Sequence, residues 1–364
     1  MWPRPWAFLG IIIEIAILDY IVIPAKAGIS VSTNQNADAR FYGHDEKEEG
    51  KIMALHTIKS SALKATFSDF GTRLLALEVD GVDVVLGTSL NEAEREMWDP
   101  YAGATLGRHA GRITDSKFTL DGVEYPLVPN RDDYQLHGGP QGFGNSIWTS
   151  KVGASEIEFT LLSPDGDQGF PGELHAKAIY GVKENMLWAE LTATTSKPTI
   201  INLTNHAYWN LVGPTAGKDS AFAHEVMINA GQTLMTNQQL LPTGEMASVK
   251  GTRFDFRKLR SVSEAYDHCF YLDGTRGEVK HAATLRDPVS GRRLEMWTTE
   301  CATQFYTAIH WDNTLPGKGK PLAQHQAVAL EAQNVPDAPN HPNFPSSVLS
   351  PGTQYRNRIE WRFS

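Results

Sequence analysis

Two stretches of the chain carry side chains that could exchange protons. In "TIINLTNHAYWNL", residues 199–211, the two-residue period of a strand puts Ile201, Leu203, Ala207, Trp209 and Leu211 on one face, with Asn205 as the exception. Asn202, Thr204, His206, Tyr208 and Asn210 fall on the other. Histidine, with an unperturbed pKa of about 6.5, is the side chain best placed to give or take a proton near neutrality. A face of histidine, tyrosine and amides suits a polyhydroxylated ligand, and it suits a solvated strand face equally well. In "QAVALEAQN" the same period sets Val328, Leu330 and Ala332 against Ala329, Glu331 and Gln333. Behind Glu331 come Pro336, Pro339, Pro342 and Pro345, which exclude both helix and sheet ladder and predict a rigid, irregular rim. A rigid rim could hold a carboxylate as a general base, but composition alone favours a plain surface loop with an exposed glutamate.

A third stretch, "QLHGGPQGFGNSIW", holds His137 among Gly138, Gly139, Gly142 and Gly144. It fits neither phosphate-cradling pattern, GxGxxG or GxxxxGK[ST], so the glycines read as turn formers. There is no GxSxG nucleophile elbow and no HExxH metal pair, and Cys269 and Cys301 form no CxxC. The two cysteines read as buried thiols. A glycosidase would need two opposed carboxylates, and no pattern selects a pair.

The elements around these stretches are short and β-like. "LLALEVDGVDVVLG" predicts a hairpin around Asp80-Gly81, "FTLDGVEYPL" another around Asp121-Gly122, and "ATLRDPVSGRRLEMW" a third through Pro-Val-Ser-Gly. "EIEFTLLS" and "MLWAELTATT" predict further strands; "SLNEAEREMW" and "VSEAYDH" predict short helices. Without a βαβ rhythm, a fixed-period repeat or a dividing linker, the pattern predicts one large all-β sandwich or barrel from about Leu55 to the end. A formal charge of -9 and no basic cluster exclude a phosphate-backbone partner.

Residues 1–54 stand apart as an extension. "WAFLGIIIEIAILDYIVIPAKAG" is apolar enough for an export or membrane segment, but Glu14 and Asp19 interrupt it, and a polar linker follows to Met53. A poor signal peptide, an anchor and an upstream extension all remain open. The extension reading, with a cytoplasmic protein, is preferred to the signal reading, in which residues 1–27 would direct export.

Taken in order, "LGRHAGRI", "LHGGPQGFGNSIW", "NLTNHAYWNL", "DHCFYL", "TTECATQFYT" and "EAQNVPDAPNHPNFP" resemble motifs of the galactose mutarotase (aldose 1-epimerase) family from about Leu55 to Phe363. The resemblance implies a large β-sandwich (supersandwich) with few short helices. It also implies interconversion of the α and β anomers of free hexoses without cofactor or metal, in a monomer or homodimer whose partner is a small aldose. It makes Glu331 the general base and His206 the general acid, with Arg112, His137, Asp267, Gln304 and Tyr208 holding the sugar. An ionised glutamate and a protonated histidine coexist between unperturbed pKa values of about 4.3 and 6.5. One departure is Gly111, where the family usually has asparagine; its loss predicts weaker binding or altered hydroxyl preference. A hexose-6-phosphate epimerase and a non-catalytic carbohydrate-binding module of the same fold are the alternatives.

Overall fold

The computed structural model describes residues 53–364, apart from 90, 92–93, 95–96 and 214–215. Residues 1–52 of the N-terminal extension and half of the helix expected over 89–98 therefore lie outside the described residues. No described helix is long and apolar enough to cross a membrane.

Alternating burial along the strands dictates the architecture. Met186–Thr195 alternates intermediate and buried positions along most of its length, as a strand does with one face on a core. It lies fourth in a nine-stranded sheet that runs, edge to edge, through Thr149–Val152, Glu156–Ser163, Leu174–Lys183, Met186–Thr195, Tyr355–Phe363, Arg293–Thr298, Lys280–Arg286, Glu225–Ile228 and Arg260–Ser261. A seven-stranded sheet runs through Pro242–Ser248, Gln232–Thr236, Asp267–Tyr271, Ala302–Tyr306, Val328–Gln333, Tyr208–Trp209 and Val85–Leu86. Leu187, Leu191, Ile359 and Trp361 of the first sheet share one buried cluster with Phe270, Phe305, Val328, Leu330 and Trp209 of the second. The fold is thus an all-β sandwich, as the sequence predicts.

The three hairpins form where expected. Asp80 and Gly81 have φ of 49° and 78°, and Asp121 and Gly122 of 51° and 80°, the paired positive values of a tight turn whose twist matches its strands. Two local expectations fail. Residues 262–268 are not helical: Asp267 and His268 open a strand, because their neighbours Cys269 and Phe270 pair across to Gln304 and Thr303. Residues 199–211 are not one strand but three pieces, Thr199–Ile200, Thr204–Asn205 and Tyr208–Trp209. Each piece pairs with a different partner. The face division survives these breaks, since Ile201, Leu203, Ala207, Trp209 and Leu211 all enter the core.

Candidate active site

The outer face of the seven-stranded sheet builds one wall of a pocket by simple alternation. Directly opposed residues share a face, and Gln304 lies opposite Glu331 while Asp267 lies opposite Tyr306, which in turn lies opposite Ala329. Tyr208 also opposes Ala329. Asp267, Gln304, Tyr306, Glu331, Gln333 and Tyr208 therefore project together, and all six line a cavity of about 370 Å³, within the range of small-molecule sites. Trp209, one residue on, turns into the core against Trp361.

The opposite wall comes from loops. Arg112–Ile113 pairs with Gln135–Leu136, so Arg112 and His137 emerge side by side. His137 takes φ of 54° and exchanges two bonds with Gly111: its N–H donates to the Gly111 carbonyl at 3.0 Å, and its Nδ1 accepts the Gly111 N–H at 3.1 Å. An Nδ1 that accepts must leave the ring proton on Nε2. Burial, with His206, Arg112 and Arg131 adding to it, holds His137 well below the ordinary imidazole pKa, so the ring is a neutral donor. Gly138 shows why this loop is glycine-rich: a Cβ there would stand 1.9 Å from the Gly107 carbonyl oxygen. The glycines serve backbone packing, as the turn reading holds, while His137 itself lines the pocket.

His206 sits between two short strands, and its Nε2 lies 3.4 Å from Glu331 Oε1. Both residues are buried, at 3% and 2% exposure, which overturns the surface-loop reading of Glu331. Tyr101, Tyr208 and Tyr306 surround the His206 ring at centroid distances of 6.3, 4.8 and 6.2 Å, and His137 approaches it edge-on at 5.5 Å. Desolvation raises Glu331 to about 7, further raised by Asp267 and opposed by His206 and Arg112. That value corrects the window expected from unperturbed groups, which placed the carboxyl near 4.3. His206 Nδ1 and Glu331 Oε2 have no hydrogen-bond partner, a desolvation cost of the kind that collects at functional sites.

Beside this pair runs a chain of charge-assisted bonds. Arg112 Nη2 donates to Asp267 Oδ2 at 2.9 Å, and Gln304 Nε2 donates to Asp267 Oδ1 at 2.5 Å. Burial alone would raise the Asp267 carboxyl, but Arg112 and Gln304 outweigh it and leave it below its ordinary value. Glu331, His206, Arg112, His137, Asp267, Gln304 and Tyr208 all line the one pocket. Asn202 and Asn210 do not: Asn202 binds backbone, and the Asn210 amide donates to Ser220 Oγ and the Gln326 carbonyl. Among the lining residues absent from the sequence reading are Asp99, Tyr101, Tyr306 and Trp311. Trp311 Nε1 donates to Asp99 Oδ2 at 2.7 Å, and its ring lies 4.3 Å from that of Tyr208, tilted by 41°. These residues lie in loops or on a fully buried strand, where periodicity gives no signal.

His137, His206 and Glu331 offer ligand atoms within 4.8 Å of one another. A metal-bound histidine needs a lone pair facing the ion and its other N–H facing an acceptor; the Gly111 amide imposes the reverse on His137. The trio therefore suits oxygen-rich ligands better than a cation.

A family model described as aldose 1-epimerase matches residues 54–362. The chain belongs to the aldose 1-epimerase family. Galactose mutarotase of Bos taurus is 40% identical over 321 residues, spanning 84% of this chain and 93% of that protein. Aldose 1-epimerase of Escherichia coli K12 is 33% identical over 338 residues, spanning 86% and 96%. The crystal structure of a GalM/aldose epimerase homologue from C. elegans superposes with a TM-score of 0.79 at 30% identity, covering 86% of this chain and 99% of that one. The chain is an isomerase of the aldose 1-epimerase class.

Proposed function

We propose that this chain interconverts the α and β anomers of free aldohexoses such as glucose and galactose, with Glu331 as general base and His206 as general acid. The observation that carries this is the 3.4 Å approach of the two groups inside one buried pocket. Ring opening must remove a proton from the anomeric hydroxyl and deliver one to the ring oxygen. Both oxygens are bonded to the same carbon, so base and acid must converge on one point. Glu331 takes the hydroxyl proton, the carbonyl forms at C1, the bond from C1 to the ring oxygen breaks, and that oxygen takes a proton from His206. Rotation about the C1–C2 bond and closure, with both transfers reversed, give the other anomer.

A carboxyl raised to about 7 is a stronger base than an ordinary glutamate and is still ionised at neutral pH to a useful extent. The His137 Nε2–H, the Arg112 fork, the Gln304 amide and the Tyr208 hydroxyl supply donors to sugar oxygens, while Asp267 accepts. A 6-phosphate is less well served. Asp99, Asp267 and Glu331 all line the pocket, Arg112 is held by Asp267, and Arg131 stands over the Tyr101 ring. Following the optical rotation of fresh α-glucose, α-galactose and a hexose 6-phosphate tests the proposal. Acceleration of the free sugars supports it; acceleration of the phosphate ester alone, or of none, overturns it.

A further inference from the structure

The three segments that supply the acid, the base and the guanidinium meet at a side chain that lies outside the pocket. Asn202 is completely buried. Its Oδ1 accepts the backbone N–H of Asn334 at 2.8 Å, and its Nδ2 donates to the carbonyls of Ala110 at 3.0 Å and Asn334 at 3.3 Å. Its own backbone joins the same assembly, donating to the Arg108 carbonyl at 2.9 Å and accepting the Ala110 N–H at 2.8 Å. Along the chain, Asn334 directly follows the strand that carries Glu331, Ala110 stands two residues before Arg112, and Asn202 stands four residues before His206. Only a primary amide offers donors and an acceptor in one plane at this reach. A carboxylate would repel the two carbonyls, and an aliphatic side chain would leave three buried backbone groups unpaired.

We infer that Asn202 is a positioning residue whose amide sets the spacing between His206 and Glu331 and the placement of Arg112. This rests on reading Glu331 and His206 as base and acid. The assignment explains why an asparagine on the polar side of the His206 stretch turns away from the ligand: its partners are the chain segments themselves. Asn210, equally buried on the same stretch, hooks the Gln326 carbonyl and Ser220 instead, and so provides the comparison.

The test compares Asn202→Ala and Asn210→Ala, each corrected for folded fraction by near-ultraviolet circular dichroism. Turnover is followed by polarimetry across pH. Asn202→Ala is expected to lose roughly 100-fold in kcat, the scale of a misplacement near 1 Å. KM should change far less, and the acid limb of the kcat profile should move, because that limb reports the coupled pair. The groups facing Glu331 are His206, His137, Asp267, Arg112, Tyr208, Tyr306 and Cys269, and all remain in the variant. Asn210→Ala is expected to lose stability while keeping its pH limb. An Asn202→Ala enzyme with the wild-type limb, and a kcat loss no greater than that of Asn210→Ala, overturns the inference. If alanine does not fold, Asn202→Ser is judged by the same two readouts. Glu331→Gln separates the two layers: near-normal turnover in that variant refutes the acid–base reading itself. The titration of the His206 ring, followed by nitrogen NMR, then still reports whether Asn202 controls its surroundings.

Discussion

Glu331 is held at a cost. Burial lifts its folded-state pKa from the ordinary value near 4.5 to about 7, so the stability it contributes is full below pH 4.5 and is lost as pH rises through 7. At pH 8 the folded protein carries an ionised buried carboxylate at a cost of about 3 kcal/mol, net of the help from His206 and Arg112. Glu331→Gln is therefore expected to lower kcat by roughly 10²–10⁴-fold while raising Tm at pH 8 by roughly 2–5 °C, with little change at pH 4.5. Scanning calorimetry at the two pH values beside polarimetry checks both halves. The same shift sets the acid limb of wild-type kcat/KM near pH 7 instead of near 4.5, and a kcat/KM profile that stays flat down to pH 5 would exclude an essential carboxylate of this kind. Gly111 poses a subtler question. Its φ of +81° is tolerated by asparagine better than by most residues, yet a Cβ there would meet the Pro336 ring at 3.1 Å. Gly111→Ala adds the crowding alone and Gly111→Asn adds crowding with an amide. The asparagine variant is expected to show the lower KM of the two for at least one hexose, and equal KM values would show that the missing amide does not matter.

At the scale of elements, the proline-rich rim is held by more than proline. Asp337, fully buried, accepts the Thr114 N–H at 3.2 Å and the Asn340 amide at 2.7 Å, while its backbone N–H donates to the Arg112 carbonyl at 2.9 Å. Asp337→Ala removes the side-chain half of this latch, a loss of about 1–3 kcal/mol, and is expected to lower Tm and to raise KM several-fold through Arg112. Denaturation and steady-state polarimetry measure the two effects. The rim also marks the boundary of what sequence could reveal. Strands 156–163 and 186–195, the Asp-Gly hairpins and the two faces of 328–333 were legible because each depends on local period or turn chemistry. The burial of Glu331 was not legible, since Pro336, Asp337 and Ala338 are themselves covered, and composition cannot distinguish a covered loop from an open one. Nor could Asn202 be separated from His206, because both are polar and on the same face, and only the distant Asn334 and Ala110 decide which of them meets a ligand. The absence of a helix at 262–268 follows from pairing with residues nearly forty positions away.

At the scale of the whole molecule, the family match opens at residue 54, and the first strand among the described residues, Leu55–Lys59, pairs at once with Leu63–Ser68. A chain trimmed to 53–364 is expected to keep kcat and KM within roughly twofold, since each pocket residue and the shared core lie inside it. Expression of the trimmed chain and polarimetry decide this; insoluble or inactive protein would show that the extension is part of the working fold. The seclusion of the Glu331 and His206 pair has one more consequence, in the traffic of protons. When the ring opens, the carboxyl gains a proton and the imidazole loses one; when it closes, each returns to its starting form. A turnover thus ends with nothing owed to the solvent, and a catalyst of this kind can seal its reactive pair away from water without needing a relay to reset it.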